Sequence, residues 1–218
     1  MKLKFVFAPL IFCACVFTSR PGLTQAVPER DETWDTVTLA TALGAFGVEL
    51  LMPRVFYSSP EVTVGWKTRW HVSALAPSMT MAALALLNET TLKDAFEDPR
   101  PGCEDLDPTT PGCETFGLFS THTFTAFSAL GQGAAVFIFD MTKYSDGRFN
   151  AGSLVGHVVV PLVLGTVTAV GRSAGDWESG GQILASAGTG LAAGFLMGMT
   201  YVLMQPPECG YTGALICW

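Results

Sequence analysis

Apolar residues dominate five stretches of the chain, and polar loops separate these stretches. Each stretch reaches or approaches the roughly 20 residues that a transmembrane helix needs. Ala, Gly, Ser and Thr are frequent in them, and in lipid such small residues let neighbouring helices approach closely. The pattern therefore predicts an all-α protein, a polytopic transmembrane helix bundle. The predicted helices cover residues 36–53, 70–89, 119–141, 152–171 and 180–204.

The last stretch shows the small residues in a regular pattern. Ser186, Gly190, Gly194 and Gly198 recur every four residues and share one face of the predicted helix. Such a face is typical either of a helix dimerisation motif or of close packing inside a bundle. We favour packing inside the bundle.

The N-terminal segment differs from the five stretches. Lys2 and Lys4 precede an apolar run over residues 5–17, and small residues follow up to Ala26. This is the layout of a secretory signal peptide, with a basic start, a short apolar core and small residues before the cut. Residues 1–26 are therefore expected to form either a cleaved signal peptide or a short first transmembrane helix. The membrane domain is predicted over residues 27–204, and residues 205–218 form a C-terminal tail.

Loop charges predict the orientation of the bundle. Loops 54–69 and 142–151 carry more basic than acidic residues, which indicates the cytoplasmic side. Loop 92–118 has two basic residues among seven acidic ones and is predicted to be external. We expect an integral protein of the bacterial inner membrane or an equivalent membrane. Four tryptophans near predicted helix ends suit an aromatic belt at the membrane boundaries: Trp34, Trp66, Trp70 and Trp177.

Composition narrows the function classes. The 218 residues are 49% hydrophobic and only 14% charged, with a formal net charge of −7. Intrinsic disorder is excluded, because it requires low hydrophobicity and high charge. Nucleic-acid binding is not expected, since the chain has no basic patch. The expected partner is a membrane lipid, and the sequence makes no prediction about protein partners.

Six cysteines fall into three pairs along the chain, and none of the pairs forms a metal-binding pattern. We therefore predict neither a metal site nor a cofactor. Cys103 and Cys113 lie in a proline-rich acidic loop, where an oxidising compartment would favour a disulfide between them. Two free thiols are the alternative. Cys209 and Cys217 lie in the predicted cytoplasmic tail and are expected to stay reduced.

Ionisable residues collect at three predicted external helix ends. Lys93 and Arg100 follow the second predicted helix, Ser120 and His122 open the third, and Arg172 precedes the last. Arginine forks and a lysine ammonium suit phosphate oxygens, and a helix N-terminus favours an anion. Read singly, the cations can solvate an acidic loop, the serine can be a helix cap and the histidine an interfacial side chain. Together they indicate an oxyanion site.

The spacing of these residues resembles a known family, the type-2 phosphatidic acid phosphatase and vanadium haloperoxidase superfamily. Lys93 and Arg100 match its K-x6-R-P motif. Ser120 and His122 match two positions of its P-S-G-H motif, and Arg172 matches the arginine of S-R-x5-H-x3-D. The resemblance implies the family's six-helix membrane fold. It further implies that Lys93, Arg100, Ser120 and Arg172 hold a phosphate, while His122 protonates the leaving oxygen.

The third motif departs from the family pattern. Glu178 stands where the family has its nucleophilic histidine, and Gln182 stands where it has the aspartate that orients it. A carboxylate opposes a phosphate charge, so we expect Glu178 to pair with Arg172, Arg100 or Lys93 instead. The Gln182 amide is expected to donate a hydrogen bond to Glu178 from one turn further along the helix. His157 lies within a predicted helix and is expected to pack there.

Three functions follow from the resemblance and its departure. The first is hydrolysis of a lipid phosphate monoester or diphosphate at the external membrane face, with His122 and Glu178 as the catalytic candidates. The second is an inactive relative that binds a phosphorylated lipid. The third is a structural or interaction membrane protein whose site Glu178 fills. The sequence does not decide whether the chain is an enzyme.

Overall fold

A computed structural model gives the fold. It describes residues 29–58, 65–71, 75–107, 109–204 and 216–217. The signal segment predicted over 1–26 and most of the tail over 205–218 lie outside the described residues. Cleavage after Ala26 and the redox state of Cys209 therefore stay predictions.

Helices form nearly all of the secondary structure. They are α1 (Glu32–Leu51), α2 (Leu75–Leu87), α3 (Lys93–Phe96), α4 (Thr121–Phe139), α5 (Ala151–Leu154), α6 (Val160–Ala174) and α7 (Gly180–Met204). Three π-helical segments extend or join them: π1 (Asn88–Leu92) joins α2 to α3, π2 (Asp140–Tyr144) extends α4, and π3 (Val155–Val159) joins α5 to α6.

Three continuous helices of the described chain are long and apolar enough to cross a membrane: Thr121–Tyr144, Ala151–Ala174 and Gly180–Met204. The chain is therefore an all-α membrane protein, as predicted. The helices that the structure forms within the predicted spans 36–53 and 70–89 are not both long and apolar enough to be counted with these three. Helix α1 includes the acidic Glu32, Asp35 and Glu49, and α2 has only 13 residues before polar ones follow.

A small sheet occupies the segment predicted as a cytoplasmic loop. Strand β1 (Arg54–Ser58) pairs antiparallel with β2 (Gly65–His71), and β2 pairs parallel with β3 (Ile216–Cys217). The prediction that the next helix begins at residue 70 is wrong, because Trp70 and His71 belong to β2. The two strands are rich in aromatic and β-branched residues, such as Val55, Tyr57 and Trp70, and these residue types favour extended backbone.

Helix α4 lies at the centre of the bundle and packs most closely on α7. An ideal Cβ on Gly194 would lie 1.9 Å from the carbonyl oxygen of Ser128, and one on Gly190 would lie 2.5 Å from that of Phe124. Only glycine permits these approaches, since a side chain would meet backbone. The small-residue face of α7 therefore packs inside the bundle, as predicted.

The bundle has two polar ends, and the loops predicted to share a membrane side meet at the same end. At the site end, Arg172 at the end of α6 contacts Asp35 of α1, and Gln182 of α7 contacts Asp98 of the loop before α4. At the hairpin end, Arg54 of β1 contacts Asp140 of π2. Which end faces the cytoplasm stays a prediction.

The α4–α7 contact predicts a difference between two glycines of the same helix. Gly194→Ala should lower the free energy of unfolding by roughly 1–3 kcal/mol, the usual cost of overpacking. Gly188→Ala should leave it unchanged or raise it slightly, because nothing lies within 4 Å of the added Cβ and alanine favours helix. Thermal unfolding of both variants in one detergent makes the comparison. Equal melting temperatures would contradict the packing.

Candidate functional site

A cavity of about 620 Å³ opens at the site end, between α1, α2 and the start of α4. It brings together four residues that the sequence assigns to the site: Lys93, Arg100, His122 and Arg172. Its other polar lining residues are Asp35, Glu89, Thr115, Thr121, Thr125 and Trp177. Its apolar lining residues come from α1 and α2 and are Leu39, Ala42, Leu43, Phe46, Ala82, Ala85 and Leu86.

Lys93 is held by a carboxylate of its own helix. Its Nζ lies 2.7 Å from Oε2 of Glu89, which also accepts a hydrogen bond from the Thr121 hydroxyl. The lysine side chain is 6% exposed, whereas that of Glu89 is 50% exposed. Glu89 was not among the predicted site residues, although its spacing of four residues from Lys93 is typical of a helical ion pair.

Arg100 is buried, and only part of its guanidinium is satisfied. Its Nε donates to the carbonyl oxygen of Thr115 at 3.2 Å. Its guanidinium carbon Cζ lies over the ring of Trp177, 5.4 Å from the ring centroid. Its Nη1 has no hydrogen-bond partner among the described residues. Burial lowers the pKa of Arg100 below its ordinary value, although the nearby Glu178 carboxylate acts in the opposite direction. The site therefore holds a cation that is incompletely compensated.

Arg172 is saturated by carboxylates. Its Nε and Nη2 donate to the two oxygens of Glu178, and its Nη1 donates to Asp35. Arg172 and Glu178 are each 2% exposed. Of the three partners expected for Glu178, the structure selects Arg172. The forked pair occupies the donors that a phosphate would need, and it holds Glu178 behind Arg172 rather than in the lining of the cavity.

Gln182 does not donate to Glu178, so that prediction is wrong. Its Nε2 donates to Oδ2 of Asp98 at 2.5 Å and to the carbonyl oxygen of Pro99 at 2.8 Å. Its Oε1 accepts from the backbone N–H of Ser179 at 2.8 Å. The physical reason is the start of α7 at residue 180: Glu178 precedes the helix, so residues 178 and 182 are not one turn apart on a helix face. Through these hydrogen bonds, Gln182 holds the loop that carries Arg100 against the start of α7.

Ser120 lies outside the lining of the cavity. It is the N-cap of α4, where its Oγ accepts from the backbone N–H of Thr123 at 3.3 Å. Its own N–H donates to Oγ of Ser186 at 2.7 Å, and the residue is fully buried. The structure therefore gives Ser120 a capping role between α4 and α7, and the neighbouring Thr121 lines the cavity.

His122 lies in the first turn of α4 and lines the cavity. Within the described part of the chain, its ring makes no hydrogen bond. Neither imidazole nitrogen is therefore committed, which leaves the ring able to meet a ligand in the cavity.

The ring of Trp177 contacts the guanidinium groups of three arginines at the site end. The guanidinium carbons of Arg172, Arg100 and Arg30 lie 4.9, 5.4 and 5.7 Å from its ring centroid. Its Nε1 donates to the carbonyl oxygen of Asp31 at 3.1 Å. A tryptophan so surrounded is part of the site. Its place in an aromatic belt at the membrane boundary stays a prediction. No sequence signal separates it from the other tryptophans at helix ends.

The predicted disulfide between Cys103 and Cys113 is confirmed, with Cα atoms 5.7 Å apart. It closes residues 103–113 into a loop. A carbonyl group inside this loop accepts from Arg30, at Gly112, and one just after it accepts from Arg100, at Thr115. The bridge therefore stabilises the loop that forms one wall of the site.

The hairpin end carries a second buried polar cluster, of which the sequence predicted only the buried position of His157. Nδ1 of His157 lies 3.1 Å from Oε2 of Glu49, and Arg54 pairs with Asp140. All four residues are buried. His157 is a buried side chain of the bundle, as predicted, and the structure adds its partner. No part of the described chain groups three or more His, Cys, Asp or Glu side chains as a metal site would require.

Comparison with known proteins finds no match to the chain among family models, curated proteins or solved structures. The resemblance to the type-2 phosphatidic acid phosphatase superfamily therefore stays a prediction from its motifs.

Glu178→Gln should raise the affinity of the site for inorganic phosphate or vanadate by roughly tenfold, or about 1.4 kcal/mol. The substitution removes a negative charge from Arg172 while keeping the size of the side chain. Isothermal titration calorimetry of the purified protein measures the change, and Glu104→Gln in the exposed loop is the control. An unchanged affinity in a folded variant would show that Glu178 does not compensate the site.

Asp140→Asn should lower the free energy of unfolding by roughly 3–5 kcal/mol, because it leaves the buried Arg54 without its carboxylate. Asp146→Asn removes the same charge at an exposed turn position with φ of 50°, a conformation that asparagine tolerates. This control should change the stability little. Thermal unfolding compares the stabilities of the two variants. A small effect of Asp140→Asn would mean that the ion pair of Arg54 with Asp140 is not needed for folding.

Proposed function

We propose that the chain is a type-2 phosphatidic acid phosphatase-like membrane protein that binds a phosphorylated lipid without the family's phospho-histidine chemistry. One observation carries the proposal: the cavity at the site end is amphipathic. Apolar side chains of α1 and α2 form its walls towards the middle of the bundle, and Lys93, Arg100 and Arg172 lie at its polar end. This is the distribution that a lipid with an anionic headgroup needs.

The unpartnered Nη1 and Nη2 edge of the Arg100 guanidinium supports phosphate binding. A buried guanidinium with unpartnered donors costs free energy. Nη2, which also donates to no described residue and is not fully buried, can donate a charge-assisted hydrogen bond to a phosphate oxygen in the cavity. The amide of Gln182 holds Asp98 and Pro99 and so fixes the backbone next to Arg100. The cation is therefore positioned before a ligand arrives.

The ion pair of Glu178 argues against the family's chemistry. A phospho-histidine step needs an imidazole at residue 178, and the chain has a carboxylate there. A carboxylate about 4 Å from a phosphate charge opposes it by about 4 kcal/mol at an effective dielectric constant of 20. Because Glu178 is committed to Arg172, it is also not oriented as a nucleophile towards the cavity.

Hydrolysis of a lipid phosphate monoester or diphosphate by a diverged mechanism is the second candidate function. His122 favours it, because its uncommitted ring lines the same cavity as Arg100 and can protonate a leaving oxygen. We rank hydrolysis second because no described residue that lines the cavity stands where the nucleophile of the family would be.

Arg100→Gln should weaken retention of a phosphate-bearing lipid at least tenfold, since a hydrogen bond to a charged group contributes about 1.5–3 kcal/mol. Arg148→Gln, at an exposed position of the hairpin end, is the matched control and should bind normally. Native mass spectrometry of the purified protein with added lipid phosphates measures retention.

Phosphate release from the same lipid phosphates separates the two candidate functions. We expect retention without release. Release that His122→Ala abolishes would establish hydrolysis instead. Failure of the unaltered, folded protein to retain any phosphate-bearing lipid would contradict both.

A further inference from the structure

The charges around the cavity cancel one another. Lys93 pairs with Glu89, and Arg172 pairs with Glu178 and Asp35. Arg100 is the remaining cation of the lining. The three cations of the lining are therefore matched by three carboxylates, of which Asp35 and Glu89 line the cavity and Glu178 lies behind it. The formal charges of these six groups sum to zero, so the site has no excess of positive charge beyond its own carboxylates.

Charge balance discriminates between classes of phosphate ligand. A phosphate monoester carries a charge of roughly −1.5 to −2 at neutral pH. Such a ligand would gain one incompletely compensated cation, Arg100, and would meet the carboxylates of Asp35 and Glu89 in the same lining. A ligand that carries one negative and one positive charge meets a matching group for each.

The anionic anchor of such a ligand is Arg100. Its side chain lies in the cavity lining, and the residue is 5% exposed. Neither Nη1 nor Nη2 donates to an atom of the described chain, and Nη2, which is not fully buried as Nη1 is, is the donor that a ligand meets. The donors of the other arginine of the lining are already used: Nε, Nη1 and Nη2 of Arg172 all donate to carboxylates. A phosphodiester group, with its single negative charge, fits one available guanidinium edge.

The cationic anchor is formed by two half-exposed carboxylates. Asp35 binds Arg172 through Oδ1, and Glu89 binds Lys93 through Oε2, with side chains 39% and 50% exposed. The second oxygen of each, Oδ2 of Asp35 and Oε1 of Glu89, accepts no hydrogen bond from the described part of the chain. A carboxylate oxygen in this position accepts from an ammonium group.

The apolar side of the cavity opens away from these charges. Leu39 and Leu43 of α1 and Leu86 of α2 line it and are 45%, 57% and 64% exposed. In a membrane protein, side chains so exposed on the bundle surface meet lipid chains. The cavity is therefore continuous with the surroundings of the helices, and acyl chains can extend from it into the bilayer.

We infer that the ligand of this cavity is a zwitterionic phospholipid with a phosphodiester and a primary ammonium, an ethanolamine-type headgroup. This inference rests on the proposed lipid-binding function and names its ligand class. A primary ammonium donates hydrogen bonds to Asp35 and Glu89, whereas a quaternary one has no N–H and is recognised by open aromatic faces. The face of Trp177 is already covered by Arg100 and Arg172.

Native mass spectrometry of the full chain, with four lipids of identical acyl chains, tests the inference. The lipids are phosphatidylethanolamine, phosphatidylglycerol, phosphatidic acid and phosphatidylcholine. The unaltered protein should bind phosphatidylethanolamine roughly fivefold more tightly than each of the others, the scale of a partly exposed ion pair. Equal or tighter binding of phosphatidic acid or phosphatidylglycerol would overturn the inference and leave the proposed function standing. If phosphatidylcholine binds as tightly as phosphatidylethanolamine, the inference that the headgroup needs a primary ammonium is overturned.

Glu89→Gln and Asp35→Asn identify the groups responsible. Each should remove most of the preference for phosphatidylethanolamine over phosphatidylglycerol, while Glu104→Gln, an exposed change of the same charge, should keep it. Two variants are used so that a folding defect in one of them does not decide the test. Thermal unfolding shows whether each variant is folded. A preference that survives both substitutions would overturn the inference. If the unaltered protein binds none of the four lipids, the proposed function itself fails.

Discussion

The site end of the bundle depends on the buried guanidinium of Arg172. A buried charge costs several kcal/mol unless it is paired and hydrogen-bonded. Glu178 and Asp35 supply the pairing, and they come from the segment before α7 and from α1. One side chain of α6 thereby fixes three parts of the chain relative to one another. It also consumes the donors that would otherwise make Arg172 an anion site, which leaves Arg100 as the available cation.

The same constraint operates at the hairpin end. Arg54 with Asp140 and His157 with Glu49 are buried pairs that connect β1 to π2 and α1 to π3. Between the two ends, α4 and α7 approach through glycines, and an ideal Cβ on Gly194 would meet backbone. Polar groups in a membrane bundle are costly unless they find partners, so ion pairs gather at the ends and close backbone packing fills the middle.

The carboxylates explain how a phosphate-type motif can coexist with a neutral cavity. Lys93, Arg100 and Arg172 have the spacing of an anion site, yet Glu89, Asp35 and Glu178 neutralise it. The carboxylate at residue 178 cannot take the part of a nucleophilic imidazole, and it compensates the charge of Arg172. A headgroup that brings its own positive charge is compatible with this arrangement, whereas a phosphate monoester leaves the carboxylates opposed.

The sequence by itself determined the helical membrane class, the order of the cations along the chain and the disulfide, because run length, loop charge and cysteine spacing are local properties. The tertiary structure decided which groups meet. It paired Glu178 with Arg172 rather than with Lys93, and it turned Gln182 towards Asp98 because α7 begins two residues after Glu178. It also buried Ser120 as a cap, placed Trp177 among arginines and added the hairpin. Partners and side-chain directions depend on where helices start and how they pack, and neither is encoded in the spacing of a motif.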